Sequence, residues 1–275
     1  MKESQPVFPI FDKKLAELNL FVSSLVREYG DGKIKSWNDL DERVKTFFTP
    51  KRIDEVELMV PGWKKMTSYA EGVTLTHVMC VFLGLFIMPE FQALTLEQQQ
   101  LAKWIVLFHD VEKTNIRGER DHTHPIRSAT TTAITLFDIG FSVKDQFREQ
   151  ISSWTEITRS AIKDRPNKPG EKVVDNSKLP EIIAGIESLY GKHNPAALII
   201  QGVLLHMSIN GIKDWPQPAP LTDDEITQYI DKDLMPLIKV MHLADSDGWN
   251  LFTPERENYR KQILKEFQRI NQLIV

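Results

Sequence analysis

In "WIVLFHDVEK" (104–113) an apolar helical segment carrying Trp104, Ile105 and Phe108 runs straight into His109-Asp110, with Lys113 three residues on. Far from it in sequence, His77 lies at helical spacing with Val73, Val81, Leu85 and Met88. His206 falls on one face with Ile199, Val203 and Ile209, and Asp245 continues the face of Leu234, Leu237, Ile238 and Met241. A single histidine on an apolar face is more often a hydrogen-bonded core residue than a ligand. Asp245 alone could equally cap a helix or pair with an arginine. Taken together, these are inward-facing imidazoles and carboxylates, which must be paired or metal-bound to offset desolvation. Neutral imidazole with carboxylate suits a first-row divalent ion, so the joint pattern favours a metal site.

The elements that must position these groups read as helices. Leu15, Leu18, Phe21, Val22, Leu25 and Val26 form one stripe over 13–29, which Gly30 closes. A looser segment rich in Trp, Pro and charge follows to about residue 70. Helices are expected over 73–88, ending at Pro89, and from Thr95, an N-cap with a capping box, to about 109. Pro125 suits the first turn of a helix over 125–138. Further amphipathic segments fall near 143–163, 180–190, 195–210, 223–246 and 254–273. The polar stretch 163–178, broken by Pro and Gly, reads as an exposed insertion or lid, and DWPQPAP (214–220) as a rigid connector. No alternating run demands a sheet. The expected fold is all-α, one domain over 1–275 with a metal-binding core over about 70–250 and an N-terminal helical extension over 1–69.

Bulk composition narrows the function classes. The 275 residues are 41% hydrophobic and 26% charged, ordinary for a soluble globular protein. A net charge of -4 argues against general nucleic-acid binding. The one cysteine, Cys80, lies in an apolar run and has no partner for an internal disulfide. The longest apolar run, 78–88, is too short to span a bilayer, and the opening residues do not resemble a secretory signal. These features place the expected protein in the cytoplasm, away from membranes. A Gly-rich phosphate loop, a G-x-S-x-G motif and a cysteine nucleophile are all missing.

His77, His109-Asp110 and Asp245 together resemble the signature of the HD-domain superfamily: a His, an adjacent His-Asp and a distant Asp on helices of one bundle. "HDVEK" is similar to its HD-x-x-K variant and "HLADSDG" to its final Asp motif. The resemblance implies a helical bundle with extra N-terminal and C-terminal helices, and one divalent ion held by His77, His109, Asp110 and Asp245. Binuclear members carry two more histidines, for which His124 in "HPIRSA" and His206 are the candidates, His122 competing with His124. Asp110 would then bridge two ions roughly 3.5–4 Å apart. Fe or Mn fits best, with Co, Ni, Zn or Mg open.

What the resemblance implies chemically is a metal-dependent phosphohydrolase. A metal-activated water would attack a nucleotide or another small phosphate ester. Asp110 and Lys113 are its expected catalytic residues, and Arg117, Arg120 and Arg127 supply forked donors for phosphate. Glu112 and Asp247 stand as further acids near the site, and His193 and His242 as competing histidines. Trp63, Trp154, Trp215 and Trp249 are either core residues or stacking platforms. Relatives of the same kind include di-iron oxygenases that cleave C–C or C–P bonds, and a non-catalytic, metal-stabilised binding module is the third alternative. Apolar faces on the terminal helices leave room for a homodimer.

Overall fold

The computed structural model describes residues 8–68, 72–114, 121–166, 168 and 170–274. Its helices follow the apolar periodicity. They are α1 (Phe11–Lys14), α2 (Ala16–Gly30), α3 (Trp37–Phe47), α4 (Pro50–Met59), α5 (Trp63–Ser68), α6 (Val73–Ile87), α7 (Pro89–Gln92) and α8 (Leu96–Phe108). After the site loop come α9 (His124–Asp138) and α10 (Phe147–Ser160), then α11 (Leu179–Tyr190), α12 (Pro195–Leu205), α13 (Asp223–Tyr229), α14 (Met235–Asn250) and α15 (Arg256–Leu273). The fold is all-α apart from one small hairpin, and no helix among the described residues is long and apolar enough to cross a membrane.

Three details depart from the sequence reading. The looser segment before residue 70 holds α3, α4 and α5. Ser36 caps α3 by accepting from the Asp39 amide, and Thr49 caps α4 just before Pro50. The expected helix over 223–246 is two helices, because Asp231 accepts from the Asp233 and Leu234 amides and restarts the chain at the break. The polar insertion folds into an antiparallel hairpin of β1 (Ile162–Asp164) and β2 (Lys172–Val174), with Lys163 opposite Val173. Two strands this short lie below what periodicity can detect.

One hydrophobic core extends from Phe8 to Ile270, and α6 lies deep within it. Every residue from Thr74 to Leu85 is buried, so α6 is enclosed on all sides rather than amphipathic. It packs chiefly on α14, and also on α2, α3, α5 and α8, while α12 packs on α8, α9, α11 and α14. Close approach of α6 and α14 depends on two glycines. A Cβ at Gly84 would stand 2.6 Å from Asp247 Cβ, and one at Gly248 would stand 2.5 Å from His77 Cε1. With no side chain at either position, the two helices bring His77 and Asp245 into contact.

Candidate metal centre

The polar residues singled out in sequence arrive from five elements. His77 comes from α6, His109 and Asp110 from the end of α8, His124 from the start of α9, His206 from the C-cap of α12 and Asp245 from α14. Local backbone sets the tautomer of three of them. His109 Nδ1 donates to the Val106 carbonyl at 2.7 Å, and His206 Nδ1 donates to the Val203 carbonyl at 2.7 Å. His124 Nδ1 donates to the Asp121 carbonyl. A carbonyl only accepts, so each ring carries its proton on Nδ1 and keeps a bare lone pair on Nε2.

These Nε2 atoms and that of His77 converge around Asp110. Its Oδ2 lies 3.5 Å from both His77 Nε2 and His109 Nε2, and its Oδ1 lies 3.0 Å from His124 Nε2. Asp245 Oδ1 stands 3.0 Å from His77 Nε2 and 3.8 Å from His109 Nε2. On the other side, His124 Nε2 and His206 Nε2 are 3.2 Å apart. Two acceptor atoms that close repel unless a cation or proton lies between them. His109 Nε2 and Asp110 Oδ1 are buried without a hydrogen-bond partner, a costly state away from water. These buried His and Asp groups fit a divalent ion. The donors form two sets that share Asp110: His77, His109 and Asp110, with Asp245 alongside, and Asp110, His124 and His206.

Burial and charge hold the centre in its ligating state. Burial alone would raise the Asp110 carboxyl. The Lys113 ammonium, 2.6 Å from Oδ2, outweighs it and keeps the carboxyl well below its usual range. Asp245 is likewise lowered against its own burial, by hydrogen bonding and charge from His77. Burial pushes the His109 imidazole down and takes His206 to about 3. A neutral buried histidine stabilises the fold above its unfolded pKa of about 6.5 and loses that contribution as pH falls towards the folded value. The metal-free protein is therefore expected to lose thermal stability from about pH 6.5 downwards, and His206→Gln should flatten that limb. A melting temperature equally steep in wild type and His206→Gln would contradict it.

The geometry separates His124 from His122. His122 Nε2 pairs with Glu171 Oε1 of the hairpin loop at 3.2 Å, whereas His124 faces Asp110 and His206. His124→Ala is thus expected to remove one bound ion and keep the other, and His122→Ala to keep both, as read by metal analysis after reconstitution. The reverse pattern would exchange their roles.

Other candidates fall away from the centre. Arg127 ties Glu112 to Asp121 and Thr123, donating to Asp121, to Thr123 Oγ1 and to the Glu112 carbonyl. Glu112 is held by Lys65 and Thr131, and Asp247 by a two-pronged contact with Arg256. His193 is exposed beside Asp231 and Asp233. His242 Nδ1 donates to the His206 carbonyl at 3.3 Å. Arg117 and Arg120 lie outside the described residues.

Sequence reasoning missed Asp121. Its carboxylate accepts from Thr114, Thr123 and Arg127, and its carbonyl orients His124. Burial opposes ionisation there, yet the hydrogen bonds from Arg127 and Thr114 and the charge of Arg127 hold the carboxyl below its usual range. Its signal in sequence was the Asp-x-Thr run ahead of a Pro-initiated helix, an Asx-turn pattern. No family model, curated protein or solved structure matches the chain.

Proposed function

We propose that the protein is a metal-dependent phosphohydrolase of the HD type, acting on a nucleotide or another small phosphate ester. The observation that carries this reading is the division of Asp110 between two donor sets: Oδ2 towards His77 and His109, Oδ1 towards His124. Ions bound there would acidify a water and neutralise charge on a phosphoryl oxygen. The chain's own residues do the rest. Backbone carbonyls of Val106, Asp121 and Val203 hold three Nε2 atoms inward, so the donors need no reorganisation. Lys113 keeps its proton on Nζ, because Asp110 outweighs the burial that would strip it. That ammonium is fixed beside the shared carboxylate, where it can steady developing negative charge or protonate a leaving oxygen.

The donor set is rich in imidazole, which suits iron, and this supports the di-iron oxygenase as the competing reading. One panel separates the two. Wild-type protein loaded with Mn, Co, Ni or Fe is offered nucleotides and simple phosphate esters with and without O2. Release of phosphate or nucleoside that is indifferent to O2 supports the hydrolase. Turnover only with iron and with O2 uptake overturns it.

A further inference from the structure

Three imidazoles of the centre are oriented by a carbonyl three residues earlier, but the three carbonyls are not held alike. Val106 lies in the last turn of α8 and Val203 in the last turn of α12, so helical backbone fixes the acceptors for His109 and His206. The acceptor for His124 is the carbonyl of Asp121, which lies outside any helix or strand and precedes the first residue of α9. What holds that residue is its own side chain. Asp121 Oδ2 accepts from the Thr114 amide at 2.8 Å, from Thr114 Oγ1 at 2.9 Å and from Arg127 Nη2. Its Oδ1 accepts from the amide and the hydroxyl of Thr123, each at 3.2 Å. Arg127 Nη2 also donates to the Glu112 carbonyl at 2.9 Å. The carboxylate thus ties residues 112–114 to residues 121–124. Its side chain is only 7% exposed, and the guanidinium and threonine donors offset the desolvation of so buried a charge.

From this asymmetry we infer that Asp121 is a positioning residue for one ion alone, the one assigned to Asp110, His124 and His206. It is not itself a ligand and acts through His124. Its carboxylate fixes the residue whose carbonyl keeps the His124 proton on Nδ1 and turns Nε2 towards Asp110 and His206. The other donor set draws its orientation from elsewhere. His109 is set by α8, and His77 and Asp245 come from α6 and α14. The inference rests on the two-ion part of the proposed function and adds to it an unequal dependence: one ion relies on helices, the other on a clasp of loop side chains.

The test is calorimetric titration of manganese into metal-freed wild type, Asp121→Asn and Arg127→Met, with circular dichroism and thermal melts on the same samples. In Asp121→Asn an amide NH2 replaces one carboxylate oxygen. Either placement sets it against a backbone N–H, that of Thr114 or that of Thr123. One ion is expected to bind as in wild type and the other roughly ten- to a hundred-fold more weakly, the usual scale for groups that orient a metal-bound histidine. Arg127→Met leaves Asp121 in place and should weaken the same ion, and it decides the matter if Asp121→Asn does not fold. A purely structural contact would lower the melting temperature without singling out one ion. Two ions bound with wild-type affinity, or both weakened alike, therefore overturns the positioning role while leaving the ion pair intact. Wild type that takes up fewer than two ions removes the pair itself, and the role of Asp121 with it.

Discussion

Asp110→Ala is expected to abolish metal binding at both positions and to lower turnover by about three orders of magnitude, with the helical fold retained. Asp110 is the one residue common to the two donor sets, so its loss cannot be confined to either. Metal ions supply several kcal/mol of transition-state stabilisation, and each 1.36 kcal/mol is a factor of ten in rate. The same variant strips Lys113 of its counter-ion at 2.6 Å. A second variant, Asp110→Asn, keeps the shape and removes the charge, and it should fail in the same way. Metal analysis, circular dichroism and turnover on the same samples check the expectation. If Asp110→Ala binds two ions as wild type does, the shared carboxylate is not the organising ligand.

Gly248→Ala is expected to be the most damaging single-methyl change near the site. An added Cβ would lie 2.5 Å from His77 Cε1, 2.7 Å from His77 Nδ1 and 2.6 Å from Val81 Cγ2. His77 cannot retreat, since it is fully buried and pressed against Trp249. Helix propensity favours alanine over glycine by about 1 kcal/mol. Overpacking a close-packed contact costs about 1–3 kcal/mol and displaces the ring as well. The clash should prevail, giving a lower melting temperature and loss of the ion held by His77 and His109, while the His124–His206 position keeps its own. A stabilised Gly248→Ala that holds both ions would show that α6 and α14 can separate without harm. Its signs for stability and metal content are checked by thermal melts and by metal analysis.

Much of the helical frame was legible from local pattern, because amphipathic stripes and caps are local. Thr95 with Gln98 forms the capping box that the spacing predicts, and α8 ends at His109-Asp110. The inward faces of His77 and His206 were readable for the same reason, since a helix fixes direction once its stripe is known. What escaped is set by contacts between distant segments. Nothing near Gly248 in sequence announces that His77 will press on it from 171 positions away. His122 and His124 are two residues apart in a turn, where no periodicity orients them. Only the docking of α9 on α12 and the hairpin's Glu171 decide between them. Arg127 read as a phosphate donor on charge alone, but Asp121 claims it, a partner that becomes visible only once the loop closes. The helices before residue 70 were hidden by their Trp and Pro content, although Ser36 and Thr49 were usable caps.

A pair of divalent ions sharing Asp110 is tested most directly by anaerobic reconstitution followed by metal analysis. Wild type, freed of metal with chelator, reloaded with Mn or Fe and desalted, is expected to retain two ions per chain, one for each donor set. It should also melt at a higher temperature than the metal-free protein, because a ligand bound only by the folded state stabilises it. Retention of fewer than two ions, or identical melting curves before and after loading, would contradict the shared pair.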